Sequence, residues 1–437
     1  MREFGDDFMS TWSEISLKEL YLEPSLNGLN RPRRVRGIGY KMVNMGELYK
    51  YDRIRNPTME LVPMNEREIE KYSLKPGDLI FARQSLVKEG AGKVSIIIET
   101  PEIVTFEGHL IRVRLNQMIA NPYYYYYYFT SSVGKGNMQT IVMQVAAAGI
   151  RGSELAELKV PYPPLDIQSS IDGILSTYDD LIENNRRRIQ LLEDMARALY
   201  REWFVHFRFP GHEDVELVDS ELGEIPEGWR VAPFTEMVEI LSGGTPRTHK
   251  PEYWSGSIPF FTPRDIKGEF YILDTERHIT QLGLDNCKSE NYPKNTVFIT
   301  ARGTVGRVVM PAVPMAMSQT SYALRGKNNI NQFFVFYKTH ECVDQLKKMT
   351  HGAVFDTIIT DTFRMLKICL PPEEIIEFFY TDVSPLLDLI LILTKENSIL
   401  QSTRDILIPR LVSGKIDVSD LKIEILPDTH KTPKYSD

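Results

Sequence analysis

At 437 residues the chain is too long for one compact core, and two domains with connecting elements are expected. Apolar and charged fractions of 42% and 25% are those of a soluble globular protein, not of a fibrous or disordered chain. The net charge of −8 resides entirely in residues 166–205 and 371–437, whereas residues 31–55 hold eight basic against two acidic groups and residues 240–370 sixteen against eleven. Local phosphate contacts govern counterion release, so basic surfaces on those two segments remain compatible with nucleic acid despite the acidic total.

Taken in chain order, the first thirty residues include Asp6, Asp7, Glu14, Glu19 and Glu23 and lack the basic start and apolar core of a secretion signal. A first head runs from about residue 10 to 163. Arg34 to Tyr40, Asp78 to Arg83 after a Lys75-Pro76-Gly77-Asp78 turn, Val94 to Ile98 and His109 to Leu115 read as strands. Asn121-Pro122 ahead of six tyrosines and Phe129 reads as a helix start, with Asn as cap and Pro at the first helical position. The tyrosines Tyr123 to Tyr128 are expected to pack in the core.

Pro163-Pro164 then opens a helical segment that returns after Pro371-Pro372, 208 residues later and without a gap. Ile171 falls on Phe379, Tyr178 on Leu386, Asn185 on Leu393, Leu192 on Leu400, Leu199 on Leu407 and Trp203 on Leu411. Apolar positions 171, 174, 178, 181, 189, 192, 196, 199 and 203 step by 3 and 4 through Asn185, a narrow seam that calls for one partner helix. In the second copy the polar seam residue is Asn397. The economical arrangement packs the copies on each other. Forty helical residues span roughly 60 Å, which would set the separation of two heads. Pro385 to Leu393, the most apolar stretch, is interrupted by Asp388 and far too short for a membrane span.

After an acidic connector, a second head from about 226 to 371 repeats the first in outline. Val297 to Gly303 aligns with Leu79 to Gln84 around a shared Ala-Arg pair, Arg307-Val308-Val309 with Lys93-Val94-Ser95, and a short helix is expected at Asn331 to Tyr337. The fold class is therefore α+β, two similar heads separated by two long antiparallel helices forming a coiled coil, with a pseudo-two-fold internal repeat. Boundaries are drawn at 1–163, 164–208, 209–371, 372–415 and 416–437.

Catalytic motifs are absent. Gly37-Ile38-Gly39 lacks the third glycine of a dinucleotide fingerprint, and Gly92-Lys93 is followed by Val94. Asn121-Pro122-Tyr123-Tyr124 approaches the Asn-Pro-Pro-Tyr loop of amino-methylating DNA methyltransferases but misses its second proline, and capping accounts for it. Asp265-Ile266-Lys267 lacks companion carboxylates for a metal. Cys287, Cys342 and Cys369 are odd in number without CxxC spacing, which argues against disulfides or zinc and for the cytoplasm. No catalytic residue, metal or cofactor is assigned. Binding is easier to place: Arg83, Gln84, Arg302, Gln319 and Thr320 offer donors and acceptors for base edges. Ser242-Gly243-Gly244-Thr245-Pro246-Arg247 forms a small-residue loop whose amides could approach phosphate. Arg34, Arg36, Lys93 and Arg264 add positive charge nearby.

Pro163 through Phe207, with Ile174-Leu-Ser-Thr-Tyr-Asp-Asp-Leu-Ile-Glu-Asn-Asn and Met195-Ala-Arg-Ala-Leu-Tyr-Arg-Glu-Trp-Phe, closely resembles the central conserved region of specificity subunits from type I restriction–modification systems. Leu407-Ile-Pro-Arg-Leu-Val-Ser-Gly-Lys-Ile resembles their C-terminal conserved region, and Ser242-Gly-Gly-Thr-Pro-Arg, Tyr253-Trp-Ser-Gly-Ser-Ile-Pro and Thr300-Ala-Arg-Gly-Thr-Val-Gly resemble motifs of their target recognition domains. The first head departs, with Arg83-Gln84-Ser85 where the second has Arg302-Gly303-Thr304. The resemblance implies a non-catalytic subunit that binds double-stranded DNA, each head reading one half of a split site. The paired helices would set the gap and dock two methyltransferase (M) subunits, and through them a motor/restriction (R) subunit that uses ATP and cuts. S-adenosylmethionine chemistry would belong to the methyltransferase subunit.

Overall fold

Proline has no N–H to give a helical ladder, so a Pro-Pro pair marks a helix start. Two forty-residue helices, Leu165–Phe204 and Glu373–Val412, begin directly after the two Pro-Pro pairs. Their first turns close on the prolines: Gln168 N–H donates to the Pro164 carbonyl at 3.0 Å and Ile375 N–H to that of Pro372 at 3.1 Å. The computed structural model describes residues 12–85, 87, 90–144, 148–350 and 357–421, so Asp6, Asp7 and the expected tail from residue 422 on lie outside it. The chain divides into two units, residues up to 182 together with those from 399 on, and residues 183–398.

In the first unit a five-stranded sheet runs in the order Tyr21–Asn27, Leu110–Leu115, Leu79–Ala82, Val94–Glu99, Arg53–Arg55, antiparallel except for its last pair. A second sheet pairs Tyr40–Val43 antiparallel with Glu60–Val62 and parallel with Val104–Phe106. Glu14–Ser16 pairs with Lys159–Pro161 and ties the head's two ends together. The second unit repeats each pairing in the same sense. Its large sheet runs Val238–Ser242, Ser321–Gly326, Val297–Thr300, Val308–Pro311, Tyr271–Ile272, again with a parallel last pair. Trp254–Phe261 pairs antiparallel with His278–Ile279 and parallel with Ala316–Met317, and Arg230–Pro233 closes on Lys367–Leu370. The internal repeat therefore extends through both heads.

The helix Pro122–Thr130 has Asn121 as its cap, the side chain accepting from the Tyr123 and Tyr124 amides. Tyr124 to Tyr128 are buried and line the first unit's core with Leu79, Phe81, Ile96 and Ile111. In the second unit Gln332–Thr350 takes that role and runs well past the expected end at Tyr337. The strand expected at Arg34 to Tyr40 is not formed. Arg33–Val35 is a short 3-10 turn and only Tyr40 enters a strand, because Gly37 and Gly39 take φ of 108° and 104° and swing the chain.

The long helices run antiparallel. Within the second unit Asn185 donates to Glu396 at 3.1 Å, while further along the first helix Trp203 meets Phe379 edge-on with centroids 5.9 Å apart. Within the first unit Asp179 pairs with Arg404. Ile171, Asn185, Phe379 and Leu393 are buried, and Tyr178, Leu192, Leu199, Leu386, Leu400 and Leu407 are half-buried. Over the first half the fully buried line passes through Leu175, Asp179 and Ile182 instead of positions 174, 178 and 181, and Leu181 is 44% exposed. A purely apolar seam misses this line because one of its members is an aspartate.

Candidate nucleic-acid interface

Each head brings the same strand ends together. In the second unit the large sheet places Thr300, Ser242 and the start of Ser321–Gly326 at one edge, through the pairs Thr300 with Ser321 and Ser242 with Tyr322. Phe261 and Met317 end side by side on the small sheet. The loops leaving these ends carry Thr245, Arg247, Arg264, Arg302, Gln319 and Thr320. Main-chain bonds fix them: Gly244 N–H to the Met317 carbonyl at 3.0 Å, Ala301 N–H to Thr320 at 2.8 Å and Ser318 N–H to Phe261 at 2.9 Å. The first unit has the same three bonds, from Leu29 to Phe106 at 2.8 Å, Arg83 to His109 at 2.8 Å and Glu107 to Val43 at 3.0 Å.

These bonds set the true correspondence of the heads. Ala82 pairs with Leu110 as Thr300 pairs with Ser321, so Arg83 stands where Ala301 stands and exposed Gln84 where exposed Arg302 stands. The alignment on the shared Ala-Arg pair is therefore one residue out of register. Backbone pairing decides the register, and the dipeptide match is a coincidence.

Glycine in the 242–247 loop has a structural cause. A Cβ on Gly243 would sit 2.2 Å from the Ser318 carbonyl oxygen and one on Gly244 2.5 Å from the Lys288 nitrogen, just as one on Gly28 of the first head would meet the Phe106 and Glu107 carbonyls at 2.3 Å. The two amides of Gly243 and Gly244 bond the Ser321 and Met317 carbonyls, so they are not offered to a phosphate. What this loop and the two residues after it present to solvent is Ser242, Arg247, Thr248 and His249.

Thr245 donates its hydroxyl to the Gln319 side chain, and the Thr320 hydroxyl lies 2.7 Å from that of Ser318, so Thr245, Gln319, Thr320 and the Arg302 main chain form one cluster. Arg264 is exposed on the turn after Phe261. Asp265 beside it is buried, accepting from the Thr262 amide at 2.7 Å and the Glu276 amide at 2.9 Å, a turn-forming role rather than that of a metal ligand. In the first head Gln84 is exposed and Arg83 half-buried, Arg34 is exposed, and Arg36 and Lys93 are drawn into ion pairs with Glu60 at 2.6 Å and Asp52 at 3.1 Å. Arg34, Arg83, Arg247, Arg264 and Arg302 have no ion-pair partner among the described residues. Unpaired arginines at loop ends retain the full set of N–H donors that phosphate and guanine require.

A second electrostatic feature lies under the first head. Asp179 is buried; the Tyr127 hydroxyl donates to it at 2.7 Å, Arg404 pairs with it, and Arg53 lies 4.0 Å away while also binding Asp180 at 2.8 Å. Burial opposes the charge on Arg53, but Tyr127, Asp179 and Asp180 outweigh it and hold its pKa above the ordinary arginine value. Burial also pushes the Tyr127 hydroxyl well above its usual range. The positions 208 residues away, Leu387 and Ala196, are fully buried and apolar. The repeat is thus broken at one polar point.

The family model for the type I restriction modification DNA specificity domain matches the chain twice, over residues 10–194 and 226–398. A putative type I restriction enzyme MjaX specificity subunit from Methanocaldococcus jannaschii is 26% identical over 93% of this chain and 94% of its own length. The type I restriction enzyme HindI specificity subunit of Haemophilus influenzae is 22% identical, with 93% of this chain and all of that one covered. Among solved structures, the S subunit of a type I restriction–modification system from M. genitalium superimposes with a TM-score of 0.61 at 14% identity, covering 94% and 98% of the two chains, a likeness of fold. No helix among the described residues is long and apolar enough to cross a membrane.

Proposed function

We propose, from the premise that the chain belongs to the type I restriction modification DNA specificity family, that each head reads one half of a bipartite double-stranded DNA site while the paired helices set the gap. The chain is a non-catalytic specificity subunit, and DNA target recognition is its part in the system. The observation that carries the finer reading is the repeated loop frame. Six matching main-chain bonds hold two sets of loops in one geometry, and the exposed side chains they carry differ. One docking mode with two reading surfaces is what a split site with two unlike halves demands.

In this reading the heads are residues 1–163 and 209–371 and the spacer helices 164–208 and 372–415. Gln84 in the first head and Arg302, Gln319 and Thr320 in the second contact base edges, while Arg34, Arg83, Arg247 and Arg264 contact phosphates. Arg36 and Lys93 add charge only if their carboxylate partners release them. Two methyltransferase subunits dock along the helices, one for each repeat, and a restriction subunit joins through them. The system then acts in the cytoplasm, where its DNA is.

The test is a methylome comparison between cells with and without this chain, paired with a mobility shift of the chain and its methyltransferase subunit on random-sequence DNA. A two-part methylated motif that vanishes with the chain, and saturable binding that weakens steeply with salt, are the expected results. Assembly with the methyltransferase but no salt-sensitive DNA binding would reduce the chain to a protein scaffold.

A further inference from the structure

Trp254 and Arg277 lie outside the loop cluster and outside the conserved helices. Trp254 opens the strand Trp254–Phe261, and its indole N–H donates to the Arg247 carbonyl at 3.2 Å. Phe260 meets the indole edge-on, with centroids 5.4 Å apart. The Arg277 guanidinium carbon lies 3.6 Å from the Trp254 ring centroid. Its backbone is pinned as well, the carbonyl accepting from the Phe260 amide at 2.9 Å and the Thr275 hydroxyl at 2.7 Å. Both partners of the stack are therefore held from behind, yet the Arg277 side chain is exposed and has no ion-pair partner among the described residues.

Two nearby carboxylates are engaged elsewhere, and exposed Glu276, next to Arg277 in sequence, forms no ion pair with it. Asp274 lies 2.8 Å from His278 and Glu252 3.8 Å from Lys250. A guanidinium covered on one face by a ring keeps its in-plane N–H donors free, and a planar fork suits phosphate oxygens. Through the indole bond the stack adjoins Arg247, two residues from Thr245 in the loop cluster. The first head takes the opposite course: its loop arginines Arg31 and Arg36 are neutralised by Glu68 and Glu60, each at 2.6 Å.

We propose that Arg277 laid on Trp254 is a preformed clamp for one phosphodiester of the DNA backbone beside the second head, an inference that rests on the DNA reading above. The clamp positions the duplex and reads no base. The full chain assembled with its methyltransferase subunits is titrated with a duplex carrying the methylated motif and with a random duplex, across a range of salt. Arg277→Ala is expected to weaken binding about tenfold on both duplexes and to lower the salt slope by about one, with the methylated motif unchanged. Arg277→Lys retains the slope and lands between, because an ammonium keeps the charge without the stacked fork. A normal salt slope for Arg277→Ala alongside normal wild-type binding, or an altered second half-site, overturns the clamp while the DNA reading stands. A wild-type complex without salt-sensitive binding overturns both.

Discussion

Asp179 is the residue on which the most charge converges, and it sits where its repeat partner is Leu387. Removing one member of a buried ionic group leaves the others desolvated and unpaired, so Asp179→Ala should cost about 3–5 kcal/mol of stability. Chemical denaturation of the first unit's transition measures it. Adding Arg404→Ala to Asp179→Leu rebuilds the apolar contact of the other copy and should recover a large part of that loss. Glu193 makes a second prediction. Burial raises its carboxyl pKa to about 7, with Arg197 opposing and Asp194 adding to the rise. The folded state then prefers the protonated form, so this group costs nothing below an ordinary carboxylate pKa and destabilises increasingly as pH climbs to about 7. Glu193→Gln should melt at higher temperature than the parent at pH 8 and match it near pH 4. Arg302→Ala should relax discrimination at one position of one half-site by about 1–3 kcal/mol, read from the methylated motif.

At the level of elements, the proposal that the paired helices act as a ruler is testable by length. Deleting 189–195 and 397–403 together removes one heptad from each helix, about 10 Å of rise. The recognised gap should shorten by about three base pairs with both halves unchanged, and an unchanged gap in the methylome would defeat the ruler. Much of this scaffold was legible from residues alone. The Pro-Pro starts, the 208-residue offset and the β-branched runs at Val94 and Val297 each have one local cause, and the structure places helices and strands there. Asn121-Pro122 was readable for the same reason, since the cap is built from neighbours in sequence. What escaped depends on distant partners. The buried line through Asp179 is set by Arg53 and Tyr127, far away in sequence, and hydrophobic spacing cannot announce it. The glycines of the 242–247 loop look identical whether the close neighbour is a phosphate or the chain's own Ser318 carbonyl. The match of Gln84 to Arg302 follows from strand pairing with Leu110 and Ser321, which no dipeptide reveals.

For the whole molecule, modular heads predict modular specificity. Replacing residues 226–370 by the second head of another family member should change one half-site and spare the other, as read by methylome; a change in both would refute independent reading. The same strand order in both units favours such an exchange, and the incoming head must also keep the contacts made across its boundary, where Glu341 accepts from the Tyr200 hydroxyl and Phe334 packs on Phe204.

The loop frame has a final consequence. Its geometry is secured by main-chain groups bonding to main-chain groups, with glycines where chains cross, and exposed Arg247, Arg264 and Arg302 add no side-chain bond to that frame among the described residues. Under the DNA reading proposed above, these positions can therefore change at little cost to folding, so that the recognised sequence can diverge while the frame stays.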